Sequence, residues 1–304
     1  MRAIRVHSFG GPEVLRLDEV PKPVPAEGQV LVRVLATSVN PIDWKLREGM
    51  LREIPLPFIP GADFCGTVEG LGPSVTQFKR GDEVFGYVSG GADAEYLVAP
   101  ESAIAPRPKT LDALQAAAVP LAGLTAWQGL FDHGKLARGE NVLILGASGG
   151  VGSIAVQLAK DAGAHVAGTA HGDEIELIRK LGADDAIDYG KYRFEDVAKD
   201  VDVCLDLVGG DFQRRAFDVV KKGGRLVSTV QSPDEELARA RGIEAKMMFT
   251  RPRGDELREL AARIDAGKLK ISIVTVLPLE RASEAEELNR SHRVTGKIVL
   301  RVAA

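Results

Sequence analysis

The sequence predicts an α/β protein of two bodies, a β-rich domain first and a doubly wound parallel-sheet domain after it. Short alternating runs separated by Gly and Pro fill residues 1 to about 120. From Asn141 onward, strand-like and helix-like segments alternate at the spacing of βαβ units. Between them, an apolar run from Val142 to Leu145 ends in a glycine cluster that opens a helical pattern. At 304 residues the chain exceeds what one core normally serves, and an apolar content of 45% is enough for two.

In chain order, Arg2 to His7 and Leu15 to Val20 alternate, and Pro21, Pro23 and Pro25 then break regular structure. Gln29 to Thr37 is a strong strand with Val30, Val32, Val34 and Ala36 on one side. Gly66–Gly72, Gly81–Val88 and Ala94–Ala99 are short strands, so the first body reads as barrel-like. The segment after Val39, which carries Asn40 and Lys45, reads as a loop. Asp112 to Val119 is Ala-rich and helical, and Pro120 begins a second helix. The predicted strands of the second body are 141–147, 165–170, 185–189, 201–208, 224–230 and 244–249. Its helices are predicted at 150–162, 173–181, 194–199, 211–221, 233–240 and 254–266. After Gly267 an extended run (271–279), a charged helix (280–290) and a last strand (297–302) follow. Those late strands are expected to return to the first body. The domains are therefore expected at 1–120 with 268–304, and at 121–267, with a ligand cleft between them.

Gly146, Gly149 and Gly152 recur at intervals of three, and the loop also holds Ala147, Ser148, Gly150 and Val151. A dinucleotide loop needs small residues here, because the turn is tight and the backbone must approach a pyrophosphate. The helix start then offers N–H groups to the phosphate charge. The strand after this helix ends at Gly168-Thr169-Ala170-His171, with no acid at its tip. An acid there would bind ribose hydroxyls and repel a 2′-phosphate. Thr169 can donate a hydrogen bond, and His171 is either a cation, a neutral donor or a solvated loop residue. Val208 and Gly209, and Ser228 and Val230, follow later strands, at the carboxyl ends where open α/β sheets bind ligands.

Other chemistries lack support. Net charge is −4 with no basic block, which disfavours nucleic acid. Cys65 and Cys204 are far apart and form no Cys-x-x-Cys cluster, which fits a reducing cytoplasm and excludes a structural zinc lobe. No run is long enough to span a membrane, and the amino terminus alternates like a strand, unlike a signal peptide. The five histidines (His7, His133, His165, His171, His292) show no ligand-like spacing, and no serine-hydrolase elbow is present.

Five further stretches complete a pattern: Val39–Gly49 (Val-Asn-Pro-Ile-Asp-Trp-Lys-Leu-Arg-Glu-Gly), Pro60–Val68, Ala122–Trp127, Leu181–Tyr189 and Thr295–Leu300. With the glycine loop, their order and spacing resemble the medium-chain dehydrogenase/reductase superfamily. The chain is similar to its zinc-independent quinone oxidoreductase branch, near zeta-crystallin-like and enone reductases. The resemblance implies a GroES-like catalytic domain plus a Rossmann cofactor domain, and NADPH as cofactor. It implies that Asn40, Asp43 and Lys45 lie at the active site, with Lys45 and Thr125 beside the nicotinamide and Tyr189 beside the 2′-phosphate. The lysine such reductases place after the second strand is absent, with His171 nearest, so the strength of NADPH over NADH stays open.

Zinc members of the superfamily carry Cys and His ligands near Asn40, Asp43 and Gly61-Ala62-Asp63; here neither motif offers Cys or His beside Asp63. Metal-free hydride transfer to a small electrophilic quinone or α,β-unsaturated carbonyl is the expected activity. The rival reading is an NADPH-binding protein with a regulatory, sensing or RNA-binding role. A zinc alcohol dehydrogenase is a third. The resemblance also implies a homodimer, with 244–249 as a candidate edge. The expected location is the cytoplasm. The Gly-Lys-Ile-Val-Leu ending assigns Lys297 a structural task.

Overall fold

In the computed structural model, which describes residues 1–50, 54–291 and 295–303, the chain divides into two units. His292 lies outside the described residues. One unit comprises Met1–Leu121, Pro252–Gly267 and Ile271–Ala304, and the other Ala122–Arg251 with Lys268–Lys270.

The first unit begins with a hairpin of β1 (Arg2–Val6) and β2 (Leu15–Glu19). Its main sheet is built on β3 (Gln29–Val39), which is long enough to hold two partners along one side. The first half of β3 pairs β6 (Tyr96–Pro100), and its last four residues pair β15 (Lys297–Arg301). Along its other side runs β4 (Asp63–Leu71), followed by β5 (Glu83–Tyr87) and β7 (Ile104–Pro106). Register shifts between Leu31 and Val32 and between Val34 and Ala36 bend β3, which lets one strand serve both halves. The inward set Val30, Val32, Val34, Phe64, Val84, Ile104, Ile298 and Leu300 forms the core. Strand β14 (Ile273–Pro278) adds to β15 in parallel, and α10 (Ala282–Arg290) lies between them in sequence.

Asn40 ends β3 and caps α1 (Pro41–Arg47), so the predicted loop is a helix. Its start has a capping box with Asp43 at the third position and Pro at the first, a start signal present in the sequence. The helices α2 (Ala113–Ala117, capped by Asp112) and α3 (Pro120–Trp127) follow.

In the second unit, β8 (Asn141–Leu145), β9 (His165–Ala170), β10 (Asp185–Asp188), β11 (Val201–Asp206), β12 (Val220–Ser228) and β13 (Glu244–Met247) form one parallel sheet. Its order is β10-β9-β8-β11-β12-β13. The order reverses between β8 and β11, which puts the switch point at their carboxyl ends. Helices α4 (Gly150–Asp161), α5 (Glu174–Leu181), α6 (Phe194–Val197), α7 (Gly210–Ala216) and α8 (Glu235–Arg241) connect the strands.

Two readings need correction. The predicted helix 254–266 is α9 (Gly254–Asp265), but it belongs to the first unit. Leu257, Leu260 and Ile264 bury its apolar face, and a Cβ on Gly254 would come within 2.4 Å of the Ile104 carbonyl. Asp265 accepts from both the amide and the hydroxyl of Thr110 at 3.0 Å. Lys270, conversely, joins the second unit, because Gln157 bonds its amide and carbonyl. The predicted helix 211–221 stops at Ala216, and its last residues enter β12 instead.

Candidate active site

The glycine loop of the second unit follows β8 and opens α4 at the switch point. Gly146 is at φ +80°, a conformation that disfavours other residues. A Cβ on Gly152 would come within 2.1 Å of the Gly146 carbonyl oxygen, so the chain folds back on itself only without a side chain. Gly149, by contrast, would meet only that oxygen, at 3.5 Å. No side chain caps α4 and no acid lies in its first turn, which leaves its N–H groups and dipole for an anion. The loop therefore fits a pyrophosphate.

Thr169 has a different task from the one expected. It is 1% exposed, and its hydroxyl accepts the Gly146 amide at 3.0 Å while its carbonyl accepts Ala147 N–H at 2.9 Å. It pins the turn and does not face a ligand. Ser148 is also engaged, its hydroxyl donating to Glu174 at 2.6 Å. His171 and Tyr189 are brought together, ring centroids 5.3 Å apart and edge to face, both exposed. Tyr189 in turn meets Phe212 at 5.4 Å.

Asp206, at the end of β11, organises the opposite side of the switch point, and the sequence reading missed it. Fully buried, it accepts Val208 N–H at 3.0 Å and Gly209 N–H at 2.8 Å on one oxygen. Its other oxygen accepts Gln213 at 2.9 Å and the Ser228 hydroxyl at 2.8 Å. The Ser228 hydroxyl is thus spent inside the protein, where it also accepts the Val230 amide at 3.3 Å. Thr125 is buried, with its hydroxyl 2.7 Å from that of Thr250. An acid ending a strand before Val-Gly-Gly was the available signal for Asp206.

In the first unit the expected catalytic trio separates. Both amide hydrogens of Asn40 are occupied, by the Ser38 carbonyl at 3.1 Å and Asp63 at 2.8 Å. Asn40 therefore cannot be the donor to a substrate oxygen. Asp43 is 4% exposed and accepts the Asn40 backbone N–H at 2.8 Å, which makes it a cap. Burial holds its carboxyl well above the usual range, and Asp93 and Glu286 push the same way. Lys45 is half-buried, 5.5 Å over the Trp44 ring, and among the described residues no ion-pair partner holds it. Glu48 pairs instead with Arg47 and Arg290.

Behind α1, Asp63 is fully buried and accepts Ser38 Oγ at 2.6 Å, Asn40 Nδ2 at 2.8 Å and Leu121 N–H at 2.6 Å. Lys297 reaches Asn40 Oδ1 at 2.5 Å, the Val39 carbonyl at 3.2 Å and Asp63 at 3.4 Å. Burial pushes the Asp93 carboxyl to about 7 against the Thr37 hydroxyl that bonds it. It also pushes Glu286 to about 7 against Arg47, whose Nε donates to it at 2.6 Å. Burial raises the thiols of Cys65, to about 12, and of Cys204. Among the described residues, no three His, Cys, Asp or Glu side chains gather where they could hold a metal ion.

Residues 26–109 match the family described as alcohol dehydrogenase GroES-like domain, and residues 181–300 match that described as zinc-binding dehydrogenase. The chain is 36% identical to the NADPH-dependent alkenal/one oxidoreductase, chloroplastic, of Arabidopsis thaliana, over 99% of this chain and 79% of that one. It is 36% identical to the quinone oxidoreductase of Mus musculus, over 99% and 97%. The quinone oxidoreductase structure from Coxiella burnetii superposes with a TM-score of 0.92 at 35% identity, covering 100% and 99% of the two chains. Together with a GroES-like unit and a parallel-sheet Rossmann unit, these likenesses make the chain an oxidoreductase belonging to the medium-chain dehydrogenase/reductase superfamily, among its quinone oxidoreductases and alkenal/one reductases.

Proposed function

We propose that the protein is an NADPH-dependent reductase of quinones or α,β-unsaturated carbonyl compounds that works without a metal. The observation that carries the cofactor is the uncapped α4 start after a turn with no room for a side chain at Gly152. The Arabidopsis thaliana relative, an NADPH-dependent alkenal/one oxidoreductase, supports NADPH and the unsaturated carbonyl acceptors, and the quinone oxidoreductase of Mus musculus supports the quinones.

When bound, NADPH supplies the hydride. The amides of Gly150, Val151 and Gly152 hold the pyrophosphate, with Gly146, Ala147, Thr169 and Gly149, whose amide donates to the Gly146 carbonyl at 3.3 Å, fixing the turn. His171 and Tyr189 serve the 2′-phosphate. The backbone of Val208, Gly209, Ser228 and Val230 serves the carboxamide, and Thr125 the neighbouring wall. Lys45 stabilises the negative charge that grows on the acceptor oxygen, which a positioned cation does at no reorganisation cost. Asn40 and Asp43 fix the segment that carries Lys45. We also propose a homodimer seamed at the edge strand β13, and light scattering at the monomer mass would remove that part.

The test is steady-state oxidation of NADPH, and of NADH in parallel, with 1,4-benzoquinone, 9,10-phenanthrenequinone and 3-buten-2-one. Turnover with at least one acceptor is expected. Tight NADPH binding without turnover of any acceptor would overturn the reading in favour of a sensing role.

A further inference from the structure

We infer that the ammonium of Lys297 is a resident cation, seated in a cage of oxygens, whose task is to fix the Asn40 cap and so position the helix that carries Lys45. The inference rests on the proposed function for what Lys45 does, but the cage itself is independent of it.

Lys297 is 6% exposed, an unusual place for an ammonium unless it is fully paired. Three oxygens surround it: Asn40 Oδ1, the Val39 carbonyl and Asp63 Oδ2. They come from the end of β3 and the start of β4, while Lys297 itself starts β15. The charge of Asp63 balances that of Lys297. The same carboxylate accepts Asn40 Nδ2, so the pair grips both ends of the Asn40 amide group. With Ser38 O taking the other amide hydrogen, the side chain has one orientation only.

Asn40 is the N-cap residue of α1; its side chain makes no hydrogen bond to the helix, and the tie to the first turn is through its backbone, whose N–H donates to Asp43 at 2.8 Å and whose carbonyl accepts the Asp43 N–H at 3.0 Å. Fixing the cap therefore fixes the first turn, and Lys45 follows on the second. A lysine kept only for bulk would need neither the charge balance nor oxygens from two strands. Lys297 and Asp63 are thus positioning residues, one step removed from any substrate.

The test compares Lys297→Ala, Lys297→Met and Asp63→Asn/Lys297→Met. In K297A, amide hydrogen exchange across Pro41–Gly49 should accelerate while the centres of β3 and β4 stay protected. Its kcat with NADPH and a quinone should fall about 10- to 100-fold, since small misplacement of a reacting group is that costly. NADPH affinity should hold within about 3-fold, because the pyrophosphate loop lies in the other unit. Methylammonium should restore both exchange protection and kcat in K297A, where the cage is empty, but not in K297M, where carbon fills it. The double variant removes both charges, so its Tm should recover while its kcat stays low.

A K297M protein with wild-type kcat and a protected α1 would overturn the inference. So would full recovery of kcat in the double variant, which would reduce the pair to charge balance. If K297A does not fold, K297M and the double variant decide the question alone. If the wild type turns over no acceptor, the proposed function fails, and exchange at Pro41–Gly49 with and without methylammonium still decides the cage.

Discussion

A single atom added to the glycine loop separates its two duties. Gly149 has φ −68° and ψ 174°, open to any residue, and its Cβ would make only an ordinary contact. Asp is also a good helix cap, so Gly149→Asp should fold with an unchanged or slightly raised Tm. It places a carboxylate where a pyrophosphate must approach, and NADPH affinity should drop at least about 10-fold by fluorescence titration. Unchanged affinity would remove the loop from the cofactor site. Asp93 makes the second test at this scale. Its folded carboxyl stands at about 7, above the 3.8 of an ordinary aspartate, because burial and then Asp63 disfavour the charge. The folded state therefore binds more protons between those values, so Asp93 contributes most stability at acid pH and loses it as pH rises toward 7. Asp93→Asn keeps an acceptor for Thr37 and no charge. Its Tm relative to wild type should climb by about 6 °C from pH 4 to pH 8. A gap that is flat across that range would mean the carboxyl ionises freely.

Elements in this protein are tied together by buried acids at their ends. Asp206 closes β11 and holds the turn into α7 as well as the end of β12 through Ser228. Asp206→Ala strands four donors, at about 1 kcal/mol each, and should cost about 3 kcal/mol or more in urea unfolding. Asp206→Asn keeps the oxygen facing Val208 and Gly209 and should cost about half as much. Equal losses for the two variants would show that the backbone amides contribute nothing. Asp63 works in the same way in the first unit, where it joins β4, the Asn40 cap and the Leu121 amide.

For the whole molecule, the proposed chemistry is metal-free. Both cysteines are buried with raised thiols, so neither offers a ready thiolate. Turnover after treatment with 1,10-phenanthroline should equal that of untreated enzyme. A stoichiometric loss of zinc together with activity would end the metal-free proposal. No helix among the described residues is long and apolar enough to cross a membrane.

The sequence by itself determined the architecture, because periodicity and glycine spacing are local quantities. Alternation in Gln29–Thr37, βαβ rhythm after Asn141 and the 146–152 loop each depend on neighbours a few residues away. Tyr189 comes from the resemblance and His171 from its place after a strand tip; only the structure brings the two rings together. Only the tertiary structure decided which polar groups were already spoken for. Asn40 and Thr169 read as free donors in one dimension, but their partners are Asp63 and Gly146, each 23 residues away along the chain. Helix α9 joins the first unit for a reason that local pattern does not carry, since amphipathicity says that a face is buried without saying against what. Partners distant along the chain, as Lys297 is from Asn40, leave no periodic trace.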